Sequence, residues 1–291
     1  MVFMKKNKKV LVSNNVPNQH WVGNGFYVRG LLRSTEELKE FISPFILLDY
    51  ASPRRFSSTS VPRGVDVHPH RGFETVTVVY QGEIEHQDSA GGGGVIKPGD
   101  VQWMTAGKGI IHKEFHSKEF SKVGGMFEMV QLWINLPQKY KMTNPKYQGI
   151  KSEDIPILEI GKNSMLRLIS GEYENENGAA STFTKINLYD LSSKSEDEIS
   201  ICLSSGTNSI LLILNGEVTL SKNEYPKNSI LIFDKAGEVL TFRSSKDFKG
   251  LLLNGTPIEE PMVAHGPFVM NTKEEIIQAI QDYEGGTMGT L

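Results

Sequence analysis

The chain has 291 residues, 38% apolar and 22% charged, which suits a soluble globular protein with a core large enough for one large or two ordinary domains. A formal charge of −3 leaves no electrostatic footprint for nucleic acid or an anionic membrane. Cys202 is the only cysteine, which excludes an internal disulfide and a cysteine-based metal site. Lys5, Lys6, Lys8 and Lys9 read as a frayed, solvated tail. No apolar h-region follows them, so no secretory signal is expected. The longest aliphatic runs, such as Ile210 to Leu214, are too short to span a bilayer. The chain is expected to be a cytoplasmic monomer that touches neither membrane nor DNA.

Taken in order, Gly25 to Leu32 predicts a first strand, and Ser34-Thr35-Glu36-Glu37 a capping box before a short helical turn. Pro44 to Tyr50 is an apolar strand, and Ser57 to Pro62 a polar loop. Thr75 to Tyr80 is β-branched and aromatic, which favours a pleated, half-buried surface. Glu83 to His86, Val95 to Lys97, Val101 to Met104, Ile110 to Glu114 and Glu128 to Leu136 follow, separated by Gly-rich turns. Gly91 to Gly94 is a hairpin end; no Lys-Ser/Thr and no helix follow it, as a phosphate loop requires. Short strands at this spacing predict an all-β sandwich or barrel.

Lys141 to Pro156 is polar and reads as a linker. A second set of strands then starts at Met165, Ser181, Glu198, Ile210, Glu217, Ser229, Glu238 and Leu251. Val76 to Ile84 and Leu211 to Val218 share a strand-Gly-Glu-strand pattern, which points to a duplicated barrel. No histidine lies between Lys141 and Pro261, so the second copy is expected to lack a metal site. Thr272 to Glu275 fits a capping box for a last amphipathic helix. Ile276, Ile280 and Tyr283 would share one face of it, with Ile277 beside them, and Gly285-Gly286 would stop it.

The chemistry concentrates between His68 and Glu114. In a strand, side chains two apart share a face, so His68 and His70 project together, as do His112 and Glu114. On neighbouring strands they would offer three imidazoles and a carboxylate to one divalent transition metal. Without sulfur, the set suits Fe, Mn, Ni, Cu, Co or Zn. An octahedral ion held by four such ligands keeps two positions open for substrate and O2. Glu74 is expected to orient a ligand histidine from behind, with direct ligation as the alternative. His116 would lie exposed past the strand end or reach the pocket rim. His20, His86 and His265 lack partners at useful spacing and read as structural or solvent-facing. Gln131 and Trp133 share a strand face and would line the cavity or fill the core.

The stretch HPHRGFETVTVVYQGEIEHQDSAGGGGVIKPGDVQWMTAGKGIIHKE, His68 to Glu114, resembles the signature of pirin and the pirin-like quercetin dioxygenases, a bicupin branch of the cupins. Pro44 to Asp49 is similar to that family's PFLLLD segment, Gln131 to Pro137 to its QLWVNLP strand, and Glu260-Pro261 with Gly266 to Thr272 to its EP…GPFVMNT. The resemblance implies an all-β fold of two jelly-roll barrels. Residues 1–140 would form an N-terminal cupin barrel holding Fe(II). Residues 141–291 would form a second cupin barrel without a metal, ending in a helix over 273–283. It also implies His68, His70, His112 and Glu114 as ligands, with Glu74 outside that set. Where the general cupin pattern has a ligand histidine after Pro98-Gly99, this chain has Gln102-Trp103.

The implied activity is oxidative cleavage of a flavonol such as quercetin by O2, releasing carbon monoxide. Glu114 would act as the catalytic base, and Phe73, Met104 and Trp133 would hold the flat aromatic substrate near the barrel mouth. The alternative is an iron-binding, redox-sensing transcription co-regulator that acts through a protein partner.

Overall fold

The alternating apolar runs and glycine turns fold into strands packed as pairs of sheets. The computed structural model describes residues 6–15 and 18–291. They fall into two units, each discontinuous in sequence: a histidine-bearing unit of residues 18–33, 45–152 and 258–291, and a second unit of residues 6–15, 34–44 and 153–257.

The histidine-bearing unit contains β1 (His20–Val22), β2 (Phe26–Arg33), β3 (Phe45–Phe56), β4 (Gly64–His70), β5 (Phe73–Gln81), β6 (Ile84–Asp88), β7 (Gly93–Ile96), β8 (Val101–Thr105), β9 (Ile110–His116), β10 (Gly125–Asn135) and β11 (Lys146–Ile150). A seven-stranded sheet runs β11-β8-β5-β10-β3-β2-β1, and a four-stranded sheet runs β4-β9-β6-β7. Phe26, Phe56, Val79 and Met129 of the larger sheet share one core with Ile84 and Ile96 of the smaller. This is the jelly-roll pairing of two sheets over an apolar interior.

The second unit repeats the plan. Its seven-stranded sheet runs Val10–Asn14, Ile230–Phe233, Asn208–Asn215, Lys249–Gly255, Ile186–Ser193, Ser164–Ser170, Ile157–Glu159. Its four-stranded sheet runs Asp197–Cys202, Val239–Ser244, Glu217–Leu220, Asn223–Pro226. The strand beginning at Ile186 is displaced from the Ser181 to Leu188 run expected for it. The shared Gly-Glu turns, Gly82-Glu83 and Gly216-Glu217, align the two barrels position by position. Through the strand registers, His68 corresponds to Ile201, His70 to Leu203, His112 to Leu240 and Glu114 to Phe242. All four counterparts lie in the second barrel's buried apolar core. The two barrels share a frame, and hydrocarbon fills the place where the first barrel carries nitrogen and oxygen.

A cut at residue 140 does not separate the units. Lys146–Ile150 pairs with β8 inside the expected linker, and the last segment, 258–291, belongs to the histidine-bearing unit. The second barrel instead closes the corresponding edge with Val10–Asn14, which pairs with Ile230–Phe233. Both edges follow the same need to cover unpaired strand N–H and C=O groups. The basic cluster is not all solvated tail: Lys8 is buried, and its Nζ donates to the carbonyls of Thr207, Asp234 and Lys235 at 3.1, 3.2 and 3.3 Å. Lys5 lies outside the described residues. The capping box at Ser34 to Glu37 does not form; the short helix Lys39–Ile42 is preceded by Leu38 without a side-chain cap.

The last helix, α1 (Lys273–Glu284), has the expected Thr272–Glu275 capping box and ends at Gly285. Ile276 and Ala279 pack on Ile111, Phe268, Met270 and Met288. Ile280 is partly buried there, whereas Ile277 and Tyr283 are exposed, so the buried face is rotated from the expected one. Among the described residues no helix is long and apolar enough to cross a membrane.

Candidate metal centre

Strand order brings the histidines together. In the β4/β9 pair His112 lies directly opposite His68, and Ile110 lies opposite His70. The ligating-type nitrogens of His68, His70 and His112 all lie within 4.8 Å of one another. Ring centroids are 4.2 Å apart for His68 and His112, 4.9 Å for His68 and His70, and 4.8 Å for His70 and His112. Glu114 comes next along β9. The register slips between His112 and Glu114, so that Val65 faces Glu114 on β4. On the other side Glu114 faces His86 of β6. The carboxylate thus groups with His86 and His112 rather than with all three histidines of the expected ligand set.

The hydrogen bonds decide which nitrogens are free. His68 Nδ1 lies 2.7 Å from the Asp66 carbonyl, and His70 Nδ1 lies 3.4 Å from the Pro267 carbonyl. A carbonyl can only accept, so Nδ1 is the hydrogen-bearing atom in each, and in the neutral ring Nε2 keeps a lone pair. His112 Nε2 is buried and has no hydrogen-bond partner among the described residues. A buried nitrogen left unpaired costs stability unless something binds it. Burial, with the neighbouring His68, lowers the His70 pKa to about 3, and burial holds His112 well below its ordinary value too. Neutral, close-set imidazoles with free lone pairs are what a divalent transition ion requires. The residues present therefore fit such an ion.

The surrounding shell differs from expectation. His86 is fully part of the centre. Its Nδ1 is 3.4 Å from His112 Nδ1 and 3.9 Å from Glu114 Oε1, and its Nε2 is 3.2 Å from Asp88 Oδ2. Tyr147 stacks on the ring at 5.0 Å. Burial alone would lower the His86 pKa, but the carboxylates of Asp88 and Glu114 raise it above its ordinary value. Burial would likewise raise Glu114, yet His86, His68 and the Gln102 amide hold its carboxyl below the usual range. The one sequence signal for His86 was its shared parity with Asp88.

Glu74 does not orient a ligand. Its Oε1 accepts from Thr105 Oγ1 at 2.7 Å, and burial pushes its pKa up to about 7. His116 is neither exposed nor at the rim. It is caged by Phe26, Phe56, Phe120 and Phe127, bonds the Gly25 carbonyl at 2.9 Å, and burial lowers its pKa to about 4. His20 and His265 are exposed.

A cavity of about 270 Å³ opens onto His68, His70, His112 and Glu114. Phe26, Val28, Met129 and Trp133 give it apolar walls, and Thr75 and Gln131 add polar points. Phe73 stands behind Trp133, with rings 4.4 Å apart, and Met104 packs with Ala106 and Ile110. Of the three residues expected at a substrate, only Trp133 faces the cavity. A wider groove of about 740 Å³, bordered by Lys113, Lys118 and Lys122, contains none of the four candidate ligands.

Comparison with known proteins places the chain in a family. The pirin family profile matches residues 25–134, and the pirin C-terminal cupin domain profile matches residues 188–289. A Pseudomonas aeruginosa protein carrying the provisional name quercetin 2,3-dioxygenase is 45% identical over 280 residues, covering 96% of this chain and 98% of its own. A pirin-like protein of Solanum lycopersicum is 39% identical, covering 92% of this chain and 88% of its own. The crystal structure of a quercetin 2,3-dioxygenase from Acinetobacter baumannii superposes with a TM-score of 0.93 at 46% identity, covering 98% of this chain and 99% of that one. With two cupin barrels, a histidine cluster in the first and relatives matched along nearly its whole length, the chain belongs to the pirin family.

Proposed function

We propose that the chain is a metal-dependent dioxygenase that cleaves a flavonol such as quercetin with O2 and releases carbon monoxide. The observation that carries this reading is the opening of three close-set imidazoles and a carboxylate held below its usual range into one apolar-walled cavity. The relatives named for quercetin 2,3-dioxygenation support the same chemistry. His68, His70, His112 and Glu114 would hold the ion, Fe(II) in this reading. When bound, it supplies Lewis-acid stabilisation of a deprotonated substrate hydroxyl and a redox centre for O2.

The chain's own residues do the rest. Glu114, kept ionised by His86, His68 and Gln102, accepts the proton of the flavonol 3-hydroxyl, as a general base must. Trp133 and Phe26 offer flat faces for the aromatic rings, and the apolar wall keeps water from the reacting atoms. Its volume is near the lower end of ordinary small-molecule sites, about 300 Å³, which favours a compact planar ligand. The test is turnover of quercetin by metal-stripped protein before and after reloading with Fe(II). The expected result is one O2 consumed and one CO released per flavonol, only after reloading. No turnover with any reloaded ion would overturn the enzyme reading in favour of a metal-binding regulator.

A further inference from the structure

We infer that Asp88 and His86 form a two-step relay that fixes the tautomer of His112, leaving its Nε2 bare for a metal ion. This rests on the reading of His112 as a ligand. His68 and His70 each give Nδ1–H to a backbone carbonyl, so their tautomers are set locally. His112 has no such carbonyl. Its Nδ1 faces only another imidazole nitrogen, His86 Nδ1, at 3.4 Å, and either ring could supply that hydrogen.

The choice is made one residue further back. Asp88 Oδ2 lies 3.2 Å from His86 Nε2. A carboxylate only accepts, so the neutral form of His86 carries its hydrogen on Nε2 and presents a lone pair at Nδ1. His112 must then donate Nδ1–H, and its lone pair falls on Nε2, the buried atom without a partner. Glu114 Oε1 lies 3.9 Å from His86 Nδ1, longer than an ordinary hydrogen bond and farther than His112 Nδ1 at 3.4 Å. Asp88 is itself held rigidly: its other oxygen, Oδ1, accepts from the backbone N–H groups of Ala90 and Gly92 at 2.9 and 2.8 Å. In this relay Asp88 and His86 are positioning residues that act on the ion through His112.

That anchoring makes Asp88→Asn a defined inversion. Two backbone donors hold the amide oxygen at the Oδ1 position, so the NH2 group faces His86 Nε2. His86 must then accept at Nε2 and carry its hydrogen on Nδ1. It donates to His112 Nδ1 and moves the His112 hydrogen to Nε2. No proton is gained or lost along the chain of bonds; only the side that bears the hydrogen changes.

The experiment uses full-length protein with 15N-labelled histidine, metal-stripped, at pH 8. Imidazole tautomers are read from long-range 1H–15N spectra, with His112 assigned by its loss in His112→Asn. Fe(II) and Co(II) affinities are measured in parallel. The wild type should show His112 as Nδ1–H and His86 as Nε2–H. Asp88→Asn should reverse both and weaken metal binding by about 10- to 100-fold, the usual range for a lost carboxylate behind a ligand histidine. His86→Leu, which removes the relay without inverting it, should leave His112 a mixture of tautomers with a smaller loss of affinity. An unchanged His112 tautomer in Asp88→Asn would overturn the relay, as would an Nε2–H His112 in the wild type. If Asp88→Asn fails to fold, a His86→Leu spectrum with His112 still wholly Nδ1–H would do the same. Absence of metal binding by the wild type would overturn the metal-site reading instead, and the tautomer spectra would still decide the relay.

Discussion

The side-chain amide of Gln102 donates to Glu114 Oε1 at 3.1 Å, in a fully buried contact between β8 and β9. The amide holds the carboxylate, and the aim of its oxygens toward the histidine cluster's side of β9 is left to the geometry of Glu114 itself. Gln102→Leu should free Glu114 to reorient and lower Fe(II) affinity by about tenfold, with the fold intact. Gln102→Glu should lose more, because two adjacent buried carboxylates cannot both stay ionised. Competition titration against a chelator checks both, and affinities equal to wild type would remove Gln102 from the account.

His116 carries a pH dependence whose sign can be worked out. Its pKa is about 4 in the folded protein, against roughly 6.5 unfolded. Between these values the unfolded chain takes up a proton that the folded chain refuses, so stability falls as pH drops. The contribution is fully present above about pH 6.5 and is lost progressively down to about pH 4, on the order of 3 kcal/mol in all. Urea unfolding of metal-free wild type and His116→Leu across this range should show the wild type losing that amount relative to the variant.

Lys141 lies inside the expected linker yet is 1% exposed. Its Nζ donates to the Gly72 carbonyl, Asn135 Oδ1 and the Val269 carbonyl at 2.9, 2.7 and 2.8 Å. Lys141→Met keeps the volume but strands three buried acceptors, each costing about 1–3 kcal/mol. A loss of about 3 kcal/mol or more is expected in denaturant unfolding. A loss under about 0.5 kcal/mol, the level of an ordinary surface change, would contradict it.

Trp133 separates binding of substrate from binding of metal. Its ring faces the cavity and lies 5.1 Å from that of His70 without a hydrogen bond to it. Trp133→Ala should weaken flavonol binding by about tenfold or more, the scale of a lost aromatic wall, while metal content stays at the wild-type level. Quercetin titration by absorbance, with metal analysis of the same sample, checks both halves.

Much of the centre is legible in the chain because strand parity is local: His68 with His70, and His112 with Glu114, follow from a two-residue period. The Gly82-Glu83 and Gly216-Glu217 echo likewise reveals the duplication. What parity cannot state is which strand lies on the far side of β9. His86 is invisible for that reason, since its link to His112 and Glu114 exists only once β6 pairs with β9. The bulge that sets Val65 against Glu114 is equally silent in the residues. Lys8 and Lys141 mislead in the opposite way: a lysine among polar residues looks solvated until a barrel edge closes over it. Glu74 shares the parity of His70 in the bare sequence, but the turn at Gly72 breaks the run, so Thr75 lines the cavity and Glu74 turns to Thr105. His116 shares the parity of His112 and Glu114, but four phenylalanines enclose it.

The most direct test of the account is metal stoichiometry by elemental analysis of wild type, His70→Ala, His112→Ala and Glu114→Ala, each reloaded with Fe(II) and passed over a desalting column. One equivalent is expected in the wild type, with none retained by the variants and circular dichroism unchanged in all four. Full occupancy in the histidine variants would contradict the claim that these side chains converge on a single ion.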